Sequence, residues 1–433
     1  MMLVTGCQTA VLLESRSTET APLPATGSEV SPQSTATLPS QPADDPPVAI
    51  REGTPRASWS ARLKQGRGHL KRGELTQAED AFTAAYDHTR GYSVGDPRTT
   101  ATVRNLQRVS SAYLASGDSA SFGRTMELLV FVSREVPAAR NLEFTRLLRE
   151  LSATRMLQQR PAEARDALLL ARSVREEQHG PEATALVGIH SQLALAYVGL
   201  GDLESAQLAI DRAAELAAQE HPPGQLHAQM LIARAKLELA RANPDEARQA
   251  LQSAVDASTE QFGPQHPETA RVVREFALLE QQAGENRSAQ EHFDRVIAIW
   301  DSLPNEKRQQ ALSRNDLAWF LVETGQDAQA EAPARSAIEL LEAASVDGQP
   351  LSAAADTLAT SLRNQGKYVE AESFYQQALE EGSKATGLPG WNVGEIAERY
   401  AGLLEQTERD KKAEELRQRW HAGAPEPVPS EEP

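Results

Sequence analysis

The sequence predicts an all-α protein, a solenoid of about nine helix-turn-helix repeats behind a disordered N-terminal tail. Three observations predict it. First, the 433 residues are rich in Ala, Leu, Glu, Gln and Arg and only 5% aromatic, a helix-forming composition. Second, Leu193, Ala194, Tyr197, Ala206, Ile210 and Ala213 fall three, four and seven apart, on one helical face, and Gly201-Asp202 interrupts the run as a turn between two helices. Third, this hairpin recurs about every 42 residues over the whole stretch between Trp59 and His421.

The recurrence is carried by small side chains. In the first helix of each hairpin they are Gly66, Ser110, Ser152, Ala194, Ala235, Ala277, Ala318, Ala359 and Ala401. Twelve residues after each come Ala78, Phe122, Ala164, Ala206, Ala247, Ala289, Ala330, Ala371 and Ala413. Eight of these nine are alanine, a phase that an alanine-rich composition alone does not maintain. Two antiparallel helices approach closely only where a small side chain leaves room for the partner's bulk. That bulk comes four residues after the second signal, as Phe82, Met126, Leu168, Ile210, Leu251, Phe293 and Tyr375. One hairpin cannot bury both its faces, so neighbours must stack into a continuous core. Arg417 and Trp420 stand at the corresponding place in the last repeat, as suits a terminal cap. The second and third repeats depart most: Phe122 replaces the alanine, and no turn glycine stands near Gln159.

The pattern resembles the tetratricopeptide repeat, and the period of about 42 resembles its kinesin-light-chain subtype. Gly366-Lys367-Tyr368-Val369-Glu370-Ala371-Glu372-Ser373-Phe374-Tyr375-Gln376-Gln377-Ala378-Leu379 is similar to a repeat centre. Phe262-Gly263-Pro264-Gln265-His266-Pro267-Glu268-Thr269-Ala270 is similar to that subtype's inter-repeat loop, and His179-Gly180-Pro181-Glu182-Ala183-Thr184-Ala185 is a weaker copy. The resemblance implies a right-handed superhelix over residues 58–421 and a protein or peptide partner along the concave surface of the first helices. It implies a scaffold rather than an enzyme.

The search for chemistry agrees. No Gly-rich loop follows a strand; Gly66-Arg67-Gly68-His69 sits inside a helix. The nine histidines are scattered, with no pair four apart beside a Glu, so no zinc-hydrolase helix is present. One cysteine excludes an intrachain disulfide and a thiolate metal site. No catalytic residue, metal ligand or cofactor is expected. The net charge of −17 argues against a nucleic-acid partner. No run of 18 apolar residues exists to form a transmembrane helix.

The ends differ from the array. Residues 8–57 are rich in Ser, Thr and Ala and contain eight prolines between Pro22 and Pro55, too few apolar groups to offset ordering entropy. As a coil of about 50 residues their ends would sit roughly 40 Å apart. Residues 422–433 form a second, acidic tail. Before the tether, Val4-Thr5-Gly6-Cys7 resembles the lipobox of bacterial lipoproteins, in which the cysteine is lipidated. The resemblance implies a membrane anchor at Cys7, and Gln8 implies sorting to the outer membrane, on the periplasmic side. A signal peptide needs a basic head and 7–15 apolar residues. Only six residues precede Cys7 within 1–7, so a working lipobox calls for a start upstream of Met1. The alternative is a cytoplasmic adaptor or regulator with no anchor.

For the partner surface, the first helices of the early repeats offer Lys64, Arg67, Lys71, Arg104, Gln107, Arg108, Arg146 and Arg149. Arg271 and Arg274 follow, and the last two repeats offer Asp356, Glu395, Glu398 and Glu405. A basic stretch suits an acidic segment or a terminal carboxylate, because the planar guanidinium fork matches a carboxylate. The competing reading is that these are solvated helix residues paired with near neighbours such as Glu150. Asn315 and Trp319 are placed on or near the same surface, Trp319 as a candidate anchor.

Overall fold

A computed structural model of the chain describes residues 56–92, 95–219, 224–384 and 393–421. The expectations for Cys7, for the tether up to residue 55 and for the tail 422–433 lie outside the described residues. Among those residues there are eighteen α-helices and no strand. They are α1 (Arg56–Lys71), α2 (Leu75–Thr89), α3 (Pro97–Ser116), α4 (Ser119–Glu135), α5 (Leu142–Leu157) and α6 (Pro161–His179). Then follow α7 (Leu186–Leu200), α8 (Leu203–Gln219), α9 (Gly224–Ala240), α10 (Pro244–Phe262), α11 (Pro267–Ala283) and α12 (Asn286–Asp301). The last six are α13 (Lys307–Glu323), α14 (Asp327–Ala343), α15 (Gln349–Asn364), α16 (Tyr368–Lys384), α17 (Val393–Gln406) and α18 (Asp410–His421). A short 3-10 turn, Pro137–Ala139, separates α4 from α5.

The helices fall into two compact units that divide inside α5, at Leu147–Leu148. In the first unit α1 pairs with α2 and α3 with α4, α2 packs on α3, and α1 touches α3. In the second, α7 through α18 pair as consecutive hairpins. There α7 also touches α9, α9 touches α11, α13 touches α15 and α15 touches α17. Each hairpin is thus both a closed pair and one step of a stack, the one-dimensional arrangement of a solenoid.

The small residues sit where close approach requires them. Gly66 lies against the ring of Phe82: a Cβ on Gly66 would come within 2.5 Å of Phe82 Cε1. Ala78, Ala164, Ala206, Ala247, Ala289, Ala330, Ala371 and Ala413 are all fully buried. So are the bulky side chains Phe82, Met126, Leu168 and Tyr375. Phe122 is also fully buried, so that repeat accommodates an aromatic ring where the others hold a methyl group.

Each turn needs one left-handed residue. At Gly201, φ is 75°, the Gly201 N–H donates to Val198 O and the Asp202 N–H to Tyr197 O, closing the end of α7. The α5–α6 turn makes the same two bonds, from Gln159 N to Met156 O and from Arg160 N to Arg155 O, but Gln159 holds φ at 56°. A side chain there is strained, because its Cβ crowds the following carbonyl. The loop between α10 and α11 is held differently. Gly263 has φ 95°, Thr269 Oγ1 donates to Gly263 O, and His266 stacks on Phe262 while its Nδ1 accepts from Glu268 N–H.

His190 is buried on α7 between neighbours that include Arg172 of α6 and Arg212 of α8. Burial, reinforced by both guanidinium charges, pushes its pKa down to about 4. The unfolded chain therefore binds this proton more readily than the folded one. The stability from a neutral His190 is full above about pH 6.5 and is lost as pH falls toward 4, on the order of 3 kcal/mol in all.

Two predictions follow from the fold. Gln159→Gly should stabilise the protein by about 1 kcal/mol by relieving the left-handed strain, read as a higher denaturant midpoint; a lower midpoint would show that the turn is unstrained. Between pH 7 and pH 4.5 the melting temperature should drop less for His190→Leu than for the parent chain, and an equal drop would mean that His190 does not titrate in that window.

Candidate partner-binding surface

The first helices carry the candidate surface, and the charged residues of α1 and α3 are all basic. Neither α1 nor α3 contains an Asp or a Glu, in a chain whose net charge is −17. Lys64, Arg67 and Lys71 are exposed on α1, spaced three and four apart and so along one face. On α3, packing against α1, α2 and α4 covers nearly every side. Between Thr99 and Leu114 only Arg104 and Arg108 are exposed, four residues apart. Trp59 fastens the two helices by donating its Nε1–H to Thr102 Oγ1 at 3.0 Å. These five cations therefore stand on two touching helices with no carboxylate on either.

Arg146, in the same unit, is in a different situation. It forms an ion pair with Glu143 at 2.7 Å and donates to Ser111 Oγ at 3.0 Å, while Ser111 donates to Glu143 at 2.6 Å. Arg146 beside Glu143 holds that carboxyl below the usual carboxylate range, with burial opposing. This guanidinium ties α5 to α3.

In the second unit the polar residues of the first helices bridge successive repeats. Arg149 on α5 donates to Gln192 on α7 at 2.8 Å. Lys236 on α9 pairs with Glu275 on α11 at 2.8 Å. Arg274 on α11 reaches Asp316 on α13 through two nitrogens, at 2.5 and 3.2 Å. Asp356 on α15 accepts two bonds from Arg399 on α17, at 3.0 and 2.6 Å. Gln281 bonds Glu323, and Arg363 bonds Gln406. Apart from Lys236–Glu275, these partners lie 42 or 43 residues apart, so one full repeat separates donor from acceptor.

The electrostatics follow the burial. Asp356 is 3% exposed, and burial raises its carboxyl above the ordinary value despite the attraction of Arg399. Burial acts the same way on Glu275, but there Lys236 and Arg274 together prevail and the carboxyl is lowered. Arg271 pairs within its own helix with Glu268, and Arg417 on α18 pairs with Glu398 and Glu405. The terminal repeat thus ends on a charged cap.

Asn315 is buried at 5% exposure. Trp319 is half-buried, its Nε1–H bonded to Glu323 at 2.9 Å and its ring 5.7 Å from the Arg399 guanidinium carbon. Lys64, Arg67 and Lys71 are thus exposed on α1, and Arg104 and Arg108 on the neighbouring α3. The structure commits Arg146 to a contact inside the first unit and places Arg149, Asn315 and Trp319 in the second. Reasoning from the sequence missed Lys236, Glu275, Asp316 and Arg399 as bridging partners. Opposite charges one repeat apart were the available signal.

No described helix is long and apolar enough to cross a membrane. Family profiles described as tetratricopeptide repeat match residues 226–302, 272–343 and 351–385. No curated protein matches the chain. Among solved structures, it is similar to the nearly identical TPR-like repeats of a putative kinesin light chain from Podosopora anserina, with 18% identity, TM-score 0.40, 47% of this chain and 99% of that one covered. It is also similar to BtubC (BKLC) from P. vanneervenii, with 16% identity, TM-score 0.44 and coverage of 53% and 95%. The apo quorum sensor NprR from B. thuringiensis gives 13% identity, TM-score 0.45 and coverage of 84% and 97%. At these scores the likenesses add nothing to what the helices themselves show. The paired helices and the matched segments agree, and the chain carries tetratricopeptide repeats over residues 226–343 and 351–385.

Proposed function

We propose that the chain is an interaction scaffold that holds a protein partner against its first helices and grips an acidic segment of that partner with the stripe on α1 and α3. The single observation that carries this reading is the stripe itself. Five exposed cations stand on two carboxylate-free helices of an acidic protein. Clustered like charges repel one another in the free protein, and an anionic partner relieves that repulsion as it docks. Arg104 and Arg108 supply planar forks for carboxylates, and Lys64 and Lys71 supply point charges around them. The inter-repeat pairs of the second unit, by comparison, join successive first helices to one another.

We further propose that the scaffold works in a bacterial cell envelope, anchored through a lipidated Cys7. The support is the lipobox-like Val4-Thr5-Gly6-Cys7 followed by a proline-rich spacer. Three acyl chains on one cysteine exceed the two signals that stable anchoring requires.

Two measurements test these readings. Reversing Lys64, Arg67, Arg104 and Arg108 to Glu should leave the helical circular dichroism unchanged, because all four are exposed. It should abolish capture of an acidic partner from native-cell extract, as read by mass spectrometry. Capture by the parent chain should weaken as salt rises from about 0.05 to 0.5 M; an unchanged partner set in the variant removes the stripe from the function. Metabolic labelling with an alkyne fatty acid should mark the parent chain and spare Cys7→Ala, whereas an unlabelled parent in the soluble fraction would favour the cytoplasmic adaptor.

A further inference from the structure

The exposed cations of α1 and α3 belong to a unit whose charge is opposite to that of the rest of the array. Residues 56–147, in the first unit, hold 14 Lys and Arg against 9 Asp and Glu, whereas residues 148–421 hold 28 against 43. Several carboxylates of the first unit are taken up by its own packing. Glu79 accepts from Thr125 Oγ1, Asp96 from the Arg98 N–H, Asp118 from the Ser121 N–H and Glu143 from Ser111 Oγ. The cations Lys64, Arg67, Lys71, Arg104 and Arg108 are on the outside, and on α3 the last two are the only exposed residues between Thr99 and Leu114. Among the described residues no large apolar side chain is exposed on either helix. These two helices therefore have charge to attract a partner and nothing to insert into one.

An anionic bilayer fits such a surface. Headgroups rearrange beneath the cations that approach them, so no fixed counter-shape is needed. Each Lys or Arg near an anionic leaflet strengthens binding about fivefold. At about 0.1 M salt a charge is felt over roughly 10 Å. The leaflet thus responds to the cations it meets and not to the −17 of the whole chain. The same leaflet repels the excess of carboxylates in the second unit. The chain between also permits the contact: residues 8–55 separate Cys7 from α1 and, fully extended, would reach at most about 170 Å. A chain already held to a bilayer at Cys7 meets it again at high effective concentration, which populates a contact too weak to last alone.

We propose that the exposed cations of α1 and α3 rest on an anionic phospholipid bilayer, which competes for them with the acidic partner. This rests on the reading of those cations as the partner-binding site and regulates that same site. Lipid covers the cations until a partner displaces it, and the contact is reversible because it is electrostatic alone.

The test uses the full chain carrying Cys7→Ala, so that no acyl chain can insert, and sedimentation with sucrose-loaded vesicles. At about 0.1 M salt the chain should sediment with vesicles of mixed phosphatidylglycerol and phosphatidylcholine and stay in solution with phosphatidylcholine alone. Reversing Lys64, Arg67, Arg104 and Arg108 to Glu should weaken binding by more than about 100-fold. The milder pair Lys64→Gln and Arg104→Gln should weaken it about 25-fold, even if the fourfold reversal folds poorly. Arg287→Glu, at an exposed cation of the second unit, should leave it unchanged. Sedimentation with neither vesicle, equal sedimentation with both, or no loss in the α1 and α3 variants overturns the lipid contact. Poly-L-glutamate should release the bound chain, and continued sedimentation in its presence overturns the competition. A chain that captures an acidic partner from extract yet ignores anionic vesicles refutes the lipid contact alone. A chain that binds the vesicles through these cations but captures no partner refutes the scaffold reading and leaves the lipid contact standing.

Discussion

The architecture depends on close approach between the two helices of each hairpin. Gly66 shows the constraint at its tightest, since the ring of Phe82 occupies the space that any Cβ would need. Alanines repeat the arrangement along the chain with less severity, all of them without solvent exposure at the second position. Because the contact is local to each hairpin, it sets the distance between helices without reference to the rest of the molecule. Stacking then buries the faces that single hairpins leave open, and α15 shows the result, with every side chain from Gln349 to Leu362 buried. A helix covered on all sides can keep polar groups only if they are bonded. Ser352 donates to Ala378 O, Ser361 to Asp327 O, and Thr360 meets the hydroxyl of Tyr375.

On this frame, charge is spent in two ways. Between successive first helices of the second unit, complementary groups neutralise one another across a repeat. Truncating one member of such a buried pair leaves the other uncompensated, a loss of about 3–5 kcal/mol. Their worth to the protein therefore lies in register as much as in stability. On α1 and α3 the cations face outward, and exposure to water makes their proximity tolerable. Arg149 belongs to neither arrangement: it is half-buried on α5 and meets Gln192, a neutral side chain, one repeat on.

The hairpins were legible in the sequence because their packing rule is local. A small residue, then another twelve positions on, then bulk after four more, states the contact within about 20 residues of chain, and the structure places Gly66, Ala78 and Phe82 accordingly. The departures were legible too. Gln159 stands where a glycine is wanted and takes the left-handed conformation all the same, at a local strain of about 1–2 kcal/mol, while the turn keeps both of its backbone hydrogen bonds. Phe122 is accommodated in the core of its repeat, which composition alone did not indicate.

By itself the sequence determined the fold class, the repeat phase and the exposed cations Lys64, Arg67, Lys71, Arg104 and Arg108. Those features follow from helical periodicity, which fixes the face a residue occupies. Only the tertiary structure decided which charges remain available. A long side chain such as Arg146, Arg149 or Arg274 can meet a neighbour in its own helix, one in the next repeat, or none, and helical periodicity does not choose among these. Distance between stacked helices chooses: it joins Arg146 to Ser111 and Glu143, joins Arg274 to Asp316, sets the Trp319 indole against Glu323, and leaves Arg149 facing a glutamine.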